Sequence, residues 1–142
     1  VAVLRDGTVQ QWDEPYNLYH EPANRFVAGF IGQGGFVKGK TLGPETIESE
    51  LGVIRGNRAY PWPDGTLVDV LIRPDDVVHD ATSSLQPKVI EKTFAGTPTL
   101  YRFRLSSETE FEALFRSHLD FRLGEQVPVR IEADHLIAFE RS

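Results

Sequence analysis

The chain has 142 residues, of which 40% are hydrophobic and 25% charged, so it is long enough to bury the core of one domain or of two small ones. Its net charge of −6 works against nucleic-acid binding, because the affinity for nucleic acid depends on clustered Lys and Arg side chains. A local basic patch is compatible with this net charge. The lack of cysteine excludes disulfides and thiolate metal sites, and no apolar run approaches the ~18 residues that would insert directly into a membrane as a spanning helix.

The first residues predict a β-hairpin. Two short apolar runs within residues 1–11 flank Asp6-Gly7, a dipeptide that tolerates the positive φ angles of a two-residue turn. The chain contains no methionine and opens on the apolar run V-A-V-L, which resembles a strand already under way and not a leader sequence. We therefore expect the chain to be a fragment of a longer protein.

Two helices are predicted after the hairpin. Asp13 is expected to start the first, with Glu14 and Pro15 in its first turn, where an acidic side chain and a missing N–H are both tolerated. The second is predicted from about Pro22, with Gly32 placed to end it. Its apolar residues recur at the spacing of a single helical face, at Phe26, Val27, Phe30 and Ile31.

After Gly35 the apolar period changes to two, which predicts a mainly β fold for the rest of the chain. The alternating runs are Val68, Val70 and Ile72; Tyr101, Phe103 and Leu105; Phe111, Ala113 and Phe115; and Val127, Val129 and Ile131. Turn-forming pairs and triplets separate them, at Pro63-Asp64-Gly65, Ala95-Gly96, Ser106-Ser107 and Leu123-Gly124. Short antiparallel strands at this spacing favour a small barrel or sandwich. We place the boundary in the Gly32 to Gly35 stretch, between a first unit of residues 1–34 and a β domain of residues 35–142.

Residues 34–41, G-G-F-V-K-G-K-T, match the phosphate-binding pattern G-x-x-x-x-G-K-[ST]. Such a loop works between a buried strand and the start of a helix. Here the preceding residues have helical spacing, and Pro44 would lie inside the first turn of the helix that must follow. We predict residues 36–40 as the first strand of the β domain instead. We therefore expect no ATP or other cofactor to bind through these matching residues: Gly34, Gly39, Lys40 and Thr41.

Arg73-Pro74-Asp75-Asp76 follows the apolar run that ends at Ile72. The pattern predicts a strand exit in which Pro74 fixes φ and Asp75 or Asp76 caps a short turn. The functional alternative is that Arg73 reaches a carboxylate in a neighbouring domain through paired hydrogen bonds.

Two other residue sets are interpreted as structural. The histidines lack the short spacing of a metal site, so we expect no bound metal at His20, His79, His118 or His135. An aromatic set could form a base-stacking platform, but its period places most members on inward faces and the acidic balance opposes nucleic acid. We therefore predict core positions for most of this set, which comprises Phe94, Tyr101, Phe103, Phe111, Phe115, Phe121 and Phe139.

The segment from Val3 to Gly32 resembles the end of the nucleotide-binding domain in the ATP-hydrolysing subunits of bacterial ABC importers. In that family a hairpin carrying D-G leads to the pattern P-x-x-L-Y-x-x-P-x-x-x-F-V-A-x-F-I-G. The residues at the corresponding positions here are Pro15, Leu18, Tyr19, Pro22, Phe26, Val27, Ala28, Phe30, Ile31 and Gly32. The later run V-L-I-R-P-D-D-V, residues 70–77, is similar to the I-R-P-E/D-x-(V/I) signature of the TOBE domain, an OB-like barrel in these ATPases.

This resemblance implies that the catalytic motifs lie upstream of the chain, so that the chain itself holds no catalytic residue and is not an enzyme. It implies that ATP and Mg bind in the parent subunit, that the missing nucleotide-binding domain is a partner, and that the parent is held at the cytoplasmic side of the bacterial inner membrane by a permease. The runs I-G-Q-G-G-F, R-P-D-D-V-V-H-D and K-T-F-A-G-T look most like ferric-iron importers, with polyamine, thiamine and sulfate relatives behind them.

Three functions follow from these patterns. The first is a regulatory and dimerisation module of an importer ATPase, with a second copy of the chain as partner. The second is a barrel that senses a small molecule or an oxyanion, and the third is a free-standing P-loop enzyme. We expect a two-fold dimer whose main contact is in residues 35–142, so that these residues alone stay dimeric. We also expect the apolar face of the second helix to pack on a second copy or on the barrel, or to be poorly ordered.

Overall fold

A computed structural model describes residues 1–31, 35–56, 59–94, 96–116, 118–132 and 136–141. Within these ranges the predicted mainly β fold is confirmed. The helices are α1 (Pro15–His20) and α2 (Arg25–Ile31). The strands are β1 (Ala2–Arg5), β2 (Thr8–Trp12), β3 (Gly35–Gly43), β4 (Thr46–Ser49), β5 (Gly52–Arg55), β6 (Leu67–Ile72), β7 (Val77–His79), β8 (Lys88–Phe94), β9 (Thr99–Arg104), β10 (Glu110–Phe115), β11 (Val129–Ile131) and β12 (Ile137–Glu140). No helix in these ranges has the length and apolar character needed to cross a membrane.

The predicted hairpin is confirmed as the antiparallel pair β1 and β2. Its turn residues Asp6 and Gly7 have φ angles of 51° and 76°, as a two-residue turn with both central residues left-handed requires. Both helices begin later than the sequence predicts. Glu14 is the N-cap of α1, while Asp13 accepts a hydrogen bond from the Glu14 N–H at 2.8 Å.

The start of α2 at Arg25 follows from the residue before it. The Asn24 side-chain oxygen accepts a hydrogen bond from the Val27 N–H at 3.0 Å, which satisfies one of the free donors of the first turn. The prediction of a start near Pro22 was therefore wrong by three residues, because a period of apolar residues does not mark the cap. The predicted end of this helix, Gly32, lies outside the described residues.

The remaining strands form three sheets that enclose one core as a small barrel. The five-stranded sheet has the order β12-β6-β3-β4-β5, the three-stranded sheet has the order β10-β9-β8, and β11 pairs with β7. The predicted alternation is confirmed, since Val68, Tyr101, Phe103 and Ala113 are all fully enclosed. The last run is shorter than predicted, because β11 begins at Val129; the other buried members of the core include Val37, Ile47, Ile54, Val70, Ile72, Val89, Phe111, Phe115, Val127 and Leu136.

The first 31 residues pack partly on themselves and partly on the barrel. Val3, Leu18 and Val27 form a small buried cluster, while Ala28 joins a second cluster with Leu71 and Ile137 of the five-stranded sheet. The helix therefore packs on the barrel, which was one of the expected alternatives, and also on the hairpin, which the sequence did not predict. The side chains of residues 30 and 31 lie outside the description. The hairpin leaves three large apolar side chains exposed, at Leu4, Val9 and Trp12.

Candidate functional site

The Arg73 motif lies where the barrel meets α1. Pro74–Asp76 form a single 3₁₀ turn directly after β6, as the strand-exit interpretation requires. The Asp76 carboxylate accepts a hydrogen bond from the Arg73 N–H at 2.9 Å, and the Asp76 N–H donates to the Arg73 carbonyl at 3.0 Å. Pro74 is buried and Asp75 is exposed, so the turn holds the Arg73 backbone in one geometry.

The Arg73 side chain joins the barrel to α1. It is only 5% exposed, and its guanidinium donates a hydrogen bond to the Tyr19 carbonyl at 2.8 Å. This carbonyl is in the last turn of α1, where helix carbonyls lack an intrahelical partner and a cation is favoured. The guanidinium carbon also lies 4.1 Å from the centroid of the Tyr19 ring, within the range of a cation–π contact.

Electrostatics at this junction follow from burial and from the adjacent aspartates. Burial raises the pKa of the Tyr19 phenol, and the charge of Asp75 raises it further. Burial lowers the pKa of Arg73, while Tyr19, Asp76 and Asp75 oppose that shift. An arginine retains its charge under such conditions, so the buried cation lies against the Tyr19 ring and carbonyl, and the charges of Asp75 and Asp76 stabilise it.

A second arginine contact ties α2 to the same sheet. Arg25 of α2 forms an ion pair with the Asp69 carboxylate of β6, and the Arg141 Nε lies 3.4 Å from the other Asp69 oxygen. The Asp69 side chain is 14% exposed, so this carboxylate is well shielded from water. Asp69 was not predicted as a site residue, although an acidic residue that interrupts an apolar strand is a signal of such a position.

The cleft at the junction is small. It has a volume of about 70 Å³, which holds a few waters and is too small for a nucleotide. Its lining residues are Tyr19, His20, Leu71, Arg73, Asp75, Asp76, Glu132 and Ile137. The contacts of Arg73 with Tyr19 thus make this site a structural joint between the barrel and α1.

The residues that match a phosphate loop lie in a central strand. Gly39, Lys40 and Thr41 belong to β3, which pairs with β4 on one side and β6 on the other. Thr41 is buried, and its hydroxyl donates to the Pro63 carbonyl at 2.9 Å. A strand paired on both sides has no free row of N–H groups for a phosphate. Gly34 lies outside the described residues.

We expect no saturable binding of Mg-ATP through Gly39, Lys40 and Thr41. Isothermal titration calorimetry of the chain with millimolar Mg-ATP should give only heats of dilution, and Lys40→Ala should change nothing. Saturable heat that disappears in Lys40→Ala would contradict this expectation.

The other candidate residues do not converge. Among the described residues there is no group of three or more His, Asp or Glu side chains that could hold a metal ion, and His135 lies outside them. The core interpretation of the aromatic set is confirmed for Tyr101, Phe103, Phe111 and Phe115. It is wrong for Phe94, which is 72% exposed at the end of β8.

Comparisons with known proteins agree with the architecture. Residues 70–139 match the family model of the TOBE domain. A spermidine/putrescine import ATP-binding protein of Marinobacter nauticus is 34% identical over 91% of the chain and 38% of its own length. A sulfate/thiosulfate import ATP-binding protein of Chromobacterium violaceum is 29% identical over 98% of the chain and 40% of its own length.

The chain thus spans about two fifths of the length of these relatives. A cytoplasmic molybdate-binding protein, ModG, has a similar fold, with a TM-score of 0.57, 15% identity, and coverage of 77% of the chain and 97% of ModG. The names of the two import ATP-binding proteins refer to polyamines and to sulfate. They give no support to the expected likeness to ferric-iron importers.

Proposed function

Residues 70–139 belong to the TOBE domain family, in a chain related to the ATP-binding subunits of ABC importers, and from this premise we propose that the chain is a non-catalytic regulatory and dimerisation module of such a subunit. The observation that carries the proposal is the double arginine joint. Arg73 and Arg25 fasten the barrel to the two helices of the first 31 residues. A barrel held in this way moves together with the segment that precedes it.

The physical advantage of such a module is effective concentration. If two barrels stay associated while the nucleotide-binding parts of two subunits separate, each reclosure is an intramolecular event. ATP and Mg bind in this scheme to the part of the parent subunit outside the chain. The parent is then a transport ATPase that attaches to a permease on the cytoplasmic side of the inner membrane.

For the transported solute we favour a polyamine or an oxyanion over ferric iron. Relatives named for spermidine/putrescine and for sulfate/thiosulfate support this choice.

The dimer is tested by sedimentation of the whole chain. We expect a monomer–dimer equilibrium in the micromolar range. The double variant Leu4→Ser/Trp12→Ser, which removes exposed apolar groups from the hairpin, should leave that equilibrium unchanged. A dimer that disappears in this variant would assign the contact to the hairpin, and a chain that stays monomeric at 100 µM or more, roughly the weak end of specific association, would contradict the proposal itself.

A ligand-sensing barrel is the second candidate. It is supported by an open groove whose polar lining has one lysine, one arginine, one glutamate and several neutral donors: Glu50, Ser84, Gln86, Lys88, Arg104, Ser106, Ser107 and Gln126. Lys88 is the cross-strand neighbour of both Arg104 and Gln126, so these side chains share one face. Because the Glu110 carboxylate accepts two hydrogen bonds from Arg104, Lys88 is the main cation. Titration with sulfate, molybdate and spermidine, with Lys88→Gln as the control, tests this candidate.

A further inference from the structure

Four exposed residues form one straight row across the outer face of the five-stranded sheet. Lys40 of β3 lies directly opposite Leu67 of β6 and opposite Glu48 of β4. Glu48 in turn lies opposite Val53 of β5. All four side chains are exposed, with Leu67 at 51% and Val53 at 57%. The row therefore reads apolar, cation, anion, apolar across four adjacent strands.

The packing of the first 31 residues leaves this row open. α2 covers the opposite end of the same face, where Ala28 packs with Leu71 and Ile137. β4 and β5 extend only along the half of β3 from Gly39 to Gly43, away from that cover. Leu42, which is 45% exposed on the same half of β3, extends the apolar surface of the open end.

We propose that this row is the centre of a two-fold interface between two copies of the chain. The proposal rests on the dimerisation function and names its surface. A two-fold axis that lies between two facing sheets, along the strands, reverses the row in the second copy. Leu67 then faces Val53 of the second copy, and Lys40 faces Glu48 of the second copy.

Self-complementarity is what favours a second copy over other partners. When the row is reversed, apolar residues face apolar residues and the cation faces the anion. The same patch on two copies is therefore complementary to itself, as a two-fold contact requires. An acidic peptide or a nucleic acid would pair with Lys40 but would be repelled by Glu48, its direct neighbour. Neither Lys40 nor Glu48 has an ion-pair partner within the described residues, so both charges are available to a facing sheet.

The geometry is that of ordinary sheet packing. In two sheets that pack face to face, the strand directions differ by about 30° or less, and the side chains interdigitate in a layer ~10 Å thick. Four strands at about 4.8 Å spacing make the row ~14 Å wide. The row is thus the centre of an interface of about 1,200 Å² or more and not the whole of it.

The test uses two charge reversals that repair each other. Lys40→Glu and Glu48→Lys should each weaken self-association at least about tenfold, because each homodimer then opposes two pairs of like charges. An equimolar mixture of the two variants should associate as strongly as the unchanged chain, because both contacts between different variants join unlike charges. Sedimentation equilibrium of the whole chain measures each variant and their mixture, and circular dichroism checks that each variant is folded.

Arg116→Glu is the matched control, since it changes the net charge equally on an exposed residue that directly follows β10 of another sheet. It should leave the dimer unchanged. Restored association in the mixture, and in the double variant Lys40→Glu/Glu48→Lys alone, supports the row. If the single variants stay dimeric, the row is not the interface, and dimerisation occurs through another surface. If the unchanged chain is monomeric, both the row and the proposed dimerisation are wrong. A mixture that fails to associate although each variant is folded also overturns the row.

Discussion

Replacing Arg73 with alanine is expected to lower the free energy of unfolding by about 2 to 4 kcal/mol, since a hydrogen bond from a charged donor contributes about 1.5 to 3 kcal/mol and a partly desolvated cation–π contact up to about 2. The change removes the donor to the Tyr19 carbonyl and the cation above the Tyr19 ring. It also leaves the nearby Asp75 and Asp76 carboxylates without their buried cation. Urea unfolding followed by fluorescence measures the loss.

Hydrogen exchange shows where the loss occurs. Amides of α1 should exchange faster in Arg73→Ala than in the unchanged chain. Amides of the buried strands β6 and β9 should remain more protected than those of α1. Arg104→Ala is the matched control, because Arg104 pairs with Glu110 at the surface with a half-exposed side chain and such pairs contribute less than about 1 kcal/mol. If Arg73→Ala costs no more than Arg104→Ala, the joint does not hold the two parts together.

Gly39→Ala is expected to destabilise the barrel by about 1 to 3 kcal/mol, the usual cost of overfilling a packed core. A Cβ at this position would lie 2.7 Å from Ile47 Cγ2, 3.1 Å from the Glu48 carbonyl oxygen and 3.3 Å from Val70 Cγ2. Ile47 is buried and β-branched, so its side chain has little freedom to move, and the second contact is with backbone. Thermal and urea unfolding should both show the change.

Gly43→Ala provides the control in the same strand, since a Cβ there meets nothing within 4 Å. It should alter the free energy of unfolding by less than about 0.5 kcal/mol. The pair of variants also separates two explanations of Gly39. A glycine needed for phosphate binding would tolerate alanine with little loss of stability, whereas a glycine needed for close strand packing would not.

Local features of the fold could be predicted from the sequence because their causes are local. Asp6-Gly7 determines its own turn through backbone angles, and the alternation of Tyr101, Phe103 and Phe111 identifies the buried faces of β9 and β10. The start of α2 was missed for a local reason too, since the cap residue Asn24 was not considered.

Contacts between distant parts of the chain were beyond this reasoning. The strand exit at Arg73 was predictable from Pro74 and the aspartates, but its partner Tyr19 is 54 residues earlier, and no periodicity reports such a pairing. The hydroxyl of Tyr60 is a similar case. It donates to the Leu136 carbonyl and accepts from the Ala138 N–H. These two partners lie 76 and 78 positions after Tyr60 in the sequence.

The position of β6 within its sheet has a consequence for synthesis on the ribosome. β6 is paired on one side with β3, which precedes it, and on the other with β12, which follows about 65 residues later. At translation rates of about 5 to 20 residues per second, the β12 side of β6 stays uncovered for roughly 3 to 13 s. The strand is L-V-D-V-L-I, an apolar edge of the kind that pairs with other chains. Asp69 interrupts this apolar run with a carboxylate, a kind of residue that disfavours pairing with other chains, and its second arginine partner, Arg141, is made only after β12.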